Sequence, residues 1–354
     1  MVGYAFMGAA HSQAWRTVNR VFDLPLDVDM VAVAGRDASA VARAAGRLGW
    51  REHTTDWRDL VARDDIDVID VCTPGDSHAE ISIAALAAGK HVLCEKPLAN
   101  SVAEAEAMVA AAASARLAGV RAMCGFNYRR VPALTHLHNL IATGRLGTIR
   151  HIRAAYLQDW MSDANTPMVW RLDREKAGSG AIGDIGAHII DLTQYVTGQH
   201  IVGVSAMAET FVHQRPLADG SGMGNVTVDD AVIFHARMSG GAIASYEATR
   251  FATGRRNAMR VEINGSLASA AFDLERLNEL EFYDTEAPAT EQGFTRILVT
   301  EQAHPYMSAW WPPGHIIGYE HTFTHEVRDF VSAIATGTDP SPSFDEALQV
   351  QRVL

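Results

Sequence analysis

The chain has 354 residues, of which 48% are hydrophobic, so it is long enough and apolar enough to form two domains with their own cores. Its formal net charge of −12 argues against nucleic acid or an anionic membrane as a partner. No apolar run approaches the roughly 20 residues that a transmembrane helix needs, and no leader-like segment opens the sequence. The three cysteines lack the spacing of a disulfide pair or a metal site. We therefore expect a soluble protein of a reducing compartment, the cytoplasm.

The first residues have the pattern of a dinucleotide-binding turn. Gly3, Ala5 and Gly8 follow the spacing Gly-x-Gly-x-x-Gly, with alanine in place of the second glycine. Glycine in such a turn lets the backbone approach a pyrophosphate, and the N-terminus of the following helix attracts its charge. Only two residues precede Gly3, so either the first strand is very short or the sequence lacks a few leading residues. The cofactor contacts expected from this turn are Gly3, Phe6, Met7 and Gly8.

Strand-like and helix-like segments alternate through the first third of the chain. The predicted strands are 28–34, 68–72, 91–94 and 120–124, and the predicted helices are 39–48, 77–89 and 103–117. Short loops between such segments are typical of a doubly wound parallel sheet, so we predict an α/β, Rossmann-type NAD(P)-binding domain over residues 1–125. Ligands of these sheets lie outside the carboxyl ends of the strands. The segments expected along that crevice are Thr73-Pro74-Gly75, Glu95-Lys96-Pro97 and Asn127-Tyr128-Arg129.

The end of the second predicted strand bears on cofactor choice. An acidic residue there binds the ribose hydroxyls of NAD, whereas arginine suits the additional phosphate of NADP. Gly35 leaves room and Arg36 offers several donors, so the sequence slightly favours NADP over NAD. Two alternatives remain open, because Asp37 could reach a ribose and Arg36 could be a solvated surface charge.

Beyond residue 125 the pattern changes to consecutive strands. They are predicted over 148–157, 201–212, 227–238, 242–251, 260–264, 268–273 and 279–283. Tight turns between them indicate a large, mostly antiparallel open sheet, and hence a second, α+β domain over residues 126–354. Helices are predicted over 319–336 and 344–354, and the last of these could pack back on the first domain.

A glycine-rich loop leads into the helix expected to carry the chemistry. The segment from Gly178 becomes apolar and contains Asp184 and His188, which lie on one face of a helix because they are four residues apart. A carboxylate beside an imidazole orients the ring and stabilises its charged form, which gives a proton acceptor. The segment is also compatible with a capped helix end whose histidine is merely hydrogen-bonded.

Lys96 is a second candidate. It follows a buried strand at the ligand edge of the sheet, and Pro97 restricts its backbone and could be joined to it by a cis bond. A lysine beside a nicotinamide and away from water has its charged form disfavoured, so it can share protons near neutral pH. In isolation, Lys-Pro would be an ordinary surface dipeptide.

Several motifs occur together in one order. They are Thr73-Pro74-x-x-x-His78-Ala79-Glu80, Cys94-Glu95-Lys96-Pro97, Asn127-Tyr128-Arg129-Arg130 and Gly183-Asp184-Ile185-Gly186-Ala187-His188. This combination resembles the glucose–fructose oxidoreductase and inositol dehydrogenase family (Gfo/Idh/MocA) over nearly the whole chain. The segment 156–160, Trp170-Arg171 and Gly178-Ser179-Gly180 resemble its sugar dehydrogenases. Ala5, Gly35 and Asp76 depart from the family pattern, which bears on cofactor preference more than on chemistry.

The resemblance implies a Rossmann domain followed by a larger sheet that often makes dimer or tetramer contacts. It implies Lys96, Asp184 and His188 as the catalytic group and Tyr128 in the substrate pocket. The further substrate contacts expected are Gln158, Trp160, Arg171 and His315, since indole rings stack on sugars and polar groups read hydroxyls. The further cofactor contacts expected are Arg36, Thr73, Pro74, His78, Glu95, Lys96, Asn127 and Trp170.

A metal site is not expected. His321 and His325 are four apart on a predicted helix, but Thr322 stands where a zincin has glutamate. The favoured function is an NAD(P)-dependent dehydrogenase of a sugar, anhydrosugar or inositol, acting as a homodimer or homotetramer. His188 would take the hydroxyl proton, Asp184 would orient its ring, and Lys96 would hydrogen-bond the same oxygen. The alternatives are an NAD-dependent glycosidase of the same fold and a nucleotide-sensing regulator without turnover.

Overall fold

A computed structural model describes residues 1–354, and the chain divides into two compact units. Unit 1 contains 1–127 and 318–352, and unit 2 contains 128–317 with the last two residues. The extent of unit 2 therefore differs from the second domain expected at 126–354. The reason is the helix that begins at Tyr319, whose apolar face is buried among residues of the first helix of the chain.

Unit 1 contains a parallel sheet. Its strands are β1 (Ala32–Ala34), β2 (Glu52–Thr54), β3 (Val68–Val71), β4 (His91–Glu95) and β5 (Ala122–Gly125). β1 pairs with β2, and β3 pairs with β4, which pairs with β5, all in parallel. Val2 forms parallel β-bridges with Ala34 on one side and Val71 on the other, so residues 1–2 occupy the position of a first strand. The predicted Rossmann-type fold is confirmed, although the strand expected at 28–34 is only three residues long.

The helices of unit 1 cover this sheet. They are α1 (Phe6–Val21), α2 (Ala38–Leu48), α3 (Trp57–Val61), α4 (His78–Ala87), α5 (Val102–Arg116), α9 (Tyr319–Thr336) and α10 (Phe344–Gln351), with a 3-10 turn at Gly75–Ser77. On α9, Phe323, Val327 and Phe330 recur at helical spacing and are buried against Ala14 and Val18 of α1. This apolar stripe explains why the C-terminal segment belongs to unit 1.

Unit 2 is organised around an eight-stranded sheet. Its strands are β6 (Ile149–Leu157), β7 (Ile201–Glu209), β10 (Ala231–Met238), β11 (Ile243–Thr249), β12 (Ala258–Gly265), β13 (Ala268–Asp273), β14 (Glu279–Asp284) and β15 (Thr295–Leu298). Their order is β15-β14-β13-β12-β6-β11-β10-β7, and only β6 and β11 pair in parallel. A separate hairpin joins β8 (Gln214–Pro216) to β9 (Met223–Asn225). The predicted large, mostly antiparallel sheet is confirmed.

One face of this sheet is covered by two helices, α6 (Pro132–Ala142) and α8 (Ala187–Thr197). α7 (Arg174–Ala177) is a single turn, and 3-10 turns lie at Trp170–Leu172, Leu274–Arg276 and Met307–Ala309, with a further one at Asn127–Arg130. Burial alternates along β10, where Val232, Phe234 and Ala236 are buried and Ile233 is exposed. None of the helices of the protein combines the length and hydropathy required to cross a membrane.

Candidate active site

The turn before α1 has the geometry expected of a phosphate-binding turn. Gly3 has φ +96°, and a Cβ there would lie 2.6 Å from the backbone oxygen of Cys72, so the position requires glycine. Ala5 precedes the helix and no side chain caps it, and the first turn contains no acidic residue. The first N–H groups of α1 therefore lack competing anions, which suits the pyrophosphate of a dinucleotide. Phe6 is 67% exposed and stacks on Tyr319, while Met7 is partly buried and Gly8 is buried.

The end of β1 differs from the sequence interpretation. The space above Gly35 is occupied by the ring of Tyr4, which any Cβ at Gly35 would overlap. Asp37 is the N-cap of α2, where its carboxylate accepts a hydrogen bond of 2.8 Å from the backbone N–H of Ala40. Arg36 is exposed. Glycine at position 35 is therefore explained by ring packing, without reference to an additional phosphate.

His78 connects two loops at the carboxyl edge of the sheet. It is 1% exposed, and its ring nitrogens lie 2.9 Å from the carbonyl oxygen of Thr73 and 3.0 Å from that of Pro97. The ring thereby ties the loop after β3, where Thr73 and Pro74 are partly exposed, to the loop after β4. This contact set makes His78 a support for the predicted cofactor loops.

Lys96 follows β4, and its peptide bond to Pro97 is cis, as the sequence allowed. The backbone N–H of Lys96 donates to Glu95 Oε2 at 3.1 Å. Glu95 is 3% exposed, and its other oxygen lies 2.9 Å from the ring of His11. Asn127, at the end of the next strand, is also buried and donates from its amide to the hydroxyl of Thr322.

Asp184 lies on a π-helical turn (Ile182–Gly186), and His188 lies in the first turn of α8. The sequence predicted a helix here with both residues on one face, and in the structure this helix begins with a π-helical turn. Asp229 clamps the entrance to the turn, because its two carboxylate oxygens accept the backbone N–H groups of Gly180 and Ile182 at 2.7 and 2.8 Å. Wide turns of this type recur at functional sites, because they shift side chains relative to regular helix.

Two guanidinium groups lie near the Asp184 carboxylate. Arg171 Nε is 3.8 Å from one oxygen, and Arg250 Nη1 is 3.6 Å from the other. The side chain of Arg250 is fully buried, it donates to the backbone oxygen of Asp229, and its guanidinium lies 5.6 Å from the ring centroid of Trp160. Nearby cations favour the charged form of a carboxylate, so this surrounding suits an ionised Asp184.

His188 packs against a pair of buried tyrosines. Its ring centroid is 4.7 Å from that of Tyr128 and 5.8 Å from that of Tyr156, and the two hydroxyls are 2.8 Å apart. Next to Tyr128, Arg129 forms a buried ion pair with Asp191 of α8, which fixes this segment against the helix that carries His188. The tyrosines therefore set the orientation of the imidazole.

A hydrogen-bonded chain extends from these tyrosines towards the surface. Asn257 Oδ1 accepts from the hydroxyl of Tyr156 at 2.8 Å and from the amide of Gln158 at 2.7 Å. Gln158 in turn accepts from the indole N–H of Trp160, which is 40% exposed. Tyr128, Gln158 and Trp160, three of the predicted substrate contacts, thus belong to one connected set of side chains with an exposed end.

Two further predicted contacts of unit 2 are Trp170 and His315. The guanidinium carbon of Arg171, the residue near Asp184, lies 4.4 Å from the centroid of the Trp170 ring. His315 is exposed, and its ring nitrogen lies 2.8 Å from the carbonyl oxygen of Pro312, so the structure places it in a surface loop. Four residues around the site were not predicted from the sequence: Tyr156, Asn257, Arg250 and Asp229. Arg250 lies within the strand predicted over 242–251 and directly follows the observed β11, and a charge near the end of that strand was the available signal.

Two family models match the chain. Residues 1–125 match the oxidoreductase family with an NAD-binding Rossmann fold, and residues 134–271 match the GFO/IDH/MocA C-terminal domain. The matched segments cover the sheet of unit 1 and most of the sheet of unit 2. The family resemblance inferred from the sequence motifs is therefore confirmed.

Individual relatives align over almost the full chain. Levoglucosan dehydrogenase of Pseudarthrobacter phenanthrenivorans is 40% identical over 99% of this chain and 92% of its own length. A crystal structure of an oxidoreductase domain protein from Kribbella flavida is 63% identical, with a TM-score of 0.97 over 99% of this chain and 93% of that one. Levoglucosan dehydrogenase in complex with NADH and levoglucosan is 41% identical, with a TM-score of 0.95 and the same coverage.

Proposed function

The chain belongs to the Gfo/Idh/MocA family of NAD-binding oxidoreductases, and from this we propose that it oxidises a secondary hydroxyl of an anhydrosugar or related sugar. We infer the substrate class from one observation in unit 2. His188 is held by two tyrosines, and a chain of amide and hydroxyl groups leads from them to the exposed ring of Trp160. Aromatic faces and fixed amides are the groups that recognise a ring carrying several hydroxyls.

The proposed chemistry is a hydride transfer assisted by proton transfer. Bound nicotinamide supplies the hydride acceptor, and the first turn of α1 and the loops after β3 and β4 would hold the dinucleotide. By family resemblance we assign His188, whose ring packs against the two tyrosines, to take the hydroxyl proton. By the same resemblance we assign Asp184, which lies beside Arg171 and Arg250, to stabilise the imidazolium that forms. By family resemblance we assign Lys96 as hydrogen-bond donor to the oxygen that loses the proton.

For the cofactor we propose NAD, with NADP as the alternative. The Tyr4 ring above Gly35 supports NAD, because it takes the room that an additional phosphate near the end of β1 would use. The relative solved with levoglucosan contains NADH. The exposed Arg36 supports NADP. Initial rates with each cofactor decide between them. If the Arg36 guanidinium binds the additional phosphate, Arg36→Ala should lower kcat/KM for NADP; if it does not, kcat/KM for NADP should be unchanged.

The test of the function is an absorbance assay of reduced nicotinamide with anhydrosugars, inositols and aldoses. We expect turnover with an anhydrosugar such as levoglucosan, which the named relatives bind or oxidise. Activity confined to inositols would move the assignment to a polyol dehydrogenase. Release of a free sugar from a glycoside without net cofactor reduction would favour the glycosidase alternative, and cofactor binding without turnover would favour the regulator.

We also propose that copies of the chain associate through the outer face of the unit 2 sheet. Met207 and Ile233 are paired across β7 and β10 and are 75% and 47% exposed, and Ile243 on β11 is 54% exposed. Apolar side chains grouped on one sheet face are typical of subunit interfaces. In light scattering, the double substitution M207E/I233E should reduce the particle mass. Leu117→Glu, at an isolated side chain that is 91% exposed in unit 1, should leave the mass unchanged.

The cysteines bear on the cellular location. None of the three forms a disulfide and all are buried, and burial raises the pKa of the Cys72 and Cys94 thiols well above their ordinary value. Buried thiols of low reactivity that form no disulfide are typical of proteins in a reducing compartment. We therefore propose a cytoplasmic enzyme.

A further inference from the structure

A buried cluster of charged side chains lies behind the loop that carries Lys96. His11, on α1, is 1% exposed, and its Nδ1 lies 3.0 and 3.1 Å from the two carboxylate oxygens of Asp70. Its Nε2 lies 2.9 Å from Glu95 Oε1. Asp70 also accepts from the indole N–H of Trp15 at 2.6 Å. The proposed chemistry uses none of these side chains directly, yet each is buried and hydrogen-bonded.

The geometry favours a second proton on the ring of His11. A neutral imidazole has one N–H, whereas both nitrogens here face carboxylate oxygens at hydrogen-bond distance. Burial opposes a charge on the ring, but the charge and hydrogen bond of Asp70, together with Cys72, outweigh it and raise the pKa of His11 well above its ordinary value. Burial likewise opposes the charge of Asp70, but the His11 imidazolium and the bonds from His11 and Trp15 lower the pKa of Asp70. The cluster is therefore an imidazolium between two carboxylates.

The second oxygen of Glu95 provides a connection to the candidate catalytic lysine. Glu95 Oε1 is held by His11, and Oε2 accepts the backbone N–H of Lys96. Resting on the function proposed above, we propose that His11 is a positioning residue, which holds Glu95 so that the backbone of Lys96, and with it the amine, is fixed at the end of β4. His11 therefore acts on the reaction only through Glu95.

A structural metal ion is the competing explanation of the same side chains. Ligand atoms of His11, Asp70 and Cys72 lie within 4.8 Å of one another. In this structure, however, both nitrogens of His11 already face carboxylates, and the Cys72 thiol donates to Asp70 at 3.4 Å. A stoichiometric metal in the purified protein, lost in His11→Gln, would overturn the assignment of an imidazolium.

The experiment uses the small number of lysines in the chain, which are Lys90, Lys96 and Lys176. Protein labelled with ¹³C at lysine Cε should give three NMR signals, which Lys→Arg variants assign. We expect H11Q to move the Lys96 signal and to leave the other two in place. W15F is the matched control, since it removes a bond to Asp70 from the same cluster without touching Glu95. If H11Q does not fold, E95Q takes its place in the experiment. E95Q removes the same connection and should therefore also move the Lys96 signal.

Kinetics supply the second readout. We expect H11Q to lower kcat about 10-fold, which is less than the roughly 10²–10⁴-fold contributed by a positioned acid–base group, because Lys96 is displaced but still present, with little change in KM for the cofactor. In a K96A background the same substitution should cause no further loss, because its effect passes through Lys96. An unmoved Lys96 signal in H11Q, or equal losses of kcat with and without Lys96, would show that His11 is only structural. Because the NMR readout needs no substrate, absence of sugar turnover would refute the proposed function alone.

Discussion

The two units support their candidate catalytic side chains by different means. In unit 1, Lys96 lies in a loop after a strand, and buried charges on His11 and Glu95 reach its backbone. In unit 2, Asp184 and His188 lie on helical turns, and the support comes from backbone N–H groups bound by Asp229 and from the rings of tyrosines. The first arrangement depends on an ionised histidine between carboxylates, and the second combines the Asp229 carboxylate with backbone N–H donors and aromatic packing.

The difference follows from the element that carries each residue. A helical turn already restrains its side chains through main-chain hydrogen bonds, so one carboxylate at its entrance is sufficient. A loop after a parallel strand has no such internal bonds, and its position must be set by side chains from neighbouring elements. Buried charged side chains whose hydrogen bonds are all made hold their neighbours in a fixed orientation. Removal of any one partner leaves a buried charge uncompensated and destabilises the fold.

The largest expected effect is the loss of a catalytic group from either unit. His188→Ala and Lys96→Ala should each lower kcat by about 10²–10⁴-fold, because a positioned acid–base group contributes in that range. The dissociation constant for the cofactor, measured by fluorescence titration, should change little in His188→Ala. His200→Ala, at an exposed position in a turn of unit 2, is the control for loss of an imidazole. Retention of normal turnover in either catalytic variant would remove that residue from the mechanism.

An intermediate effect is expected from the clamp in unit 2. Asp229→Asn places an N–H where the backbone N–H of Gly180 or Ile182 now donates, and an unmade bond of this kind costs about 1–3 kcal/mol. We expect kcat to fall about 10-fold, less than the roughly 10²–10⁴-fold contributed by a positioned acid–base group, because Asp184 and His188 lose their alignment but are still present. Asp230→Asn is a matched control, since that carboxylate binds two backbone N–H groups at 211 and 212 instead. Similar thermal unfolding but equal kcat losses in the two variants would contradict a specific role for the clamp.

The smallest expected effect is on the pH dependence of stability, which should differ in sign between a histidine of unit 1 and two histidines of unit 2. Burial lowers the pKa of His136 and of His304 in unit 2, so the folded state prefers neutral rings there. Their unfolded pKa is about 6.5, so stability is lost as the pH falls through that value. His136→Gln should raise the unfolding midpoint by about 1–2 °C at pH 5.5 and leave it unchanged at pH 8.

His11 should behave in the opposite sense. Its folded pKa is raised, so its contribution to stability is complete below pH ~6.5 and is lost as the pH rises through the raised value. The unfolding midpoints of wild type, H11Q and H136Q between pH 5 and 9 check both statements. Parallel curves for all three proteins would mean that neither histidine titrates differently in the folded state.

The sequence by itself determined the elements whose pattern is local. α9 was predicted with its observed bounds, because Phe323, Val327 and Phe330 recur at helical spacing and Gly337 follows. The alternation of strands and helices identified the Rossmann-type unit, and the motifs identified the family together with Lys96, Asp184 and His188 as candidates. Each of those signals lies within a short stretch of sequence.

Only the tertiary structure decided which distant residues support the candidates. The π-helical turn depends on Asp229, about 45 residues away from it, and periodicity within the segment contains no trace of that bond. Pairing of β6 with β12 brings Tyr156 near Asn257, and the adjacency of α1, β3 and β4 places His11 between two carboxylates. These contacts arise from register and packing between elements far apart in sequence, so no local pattern of residues records them.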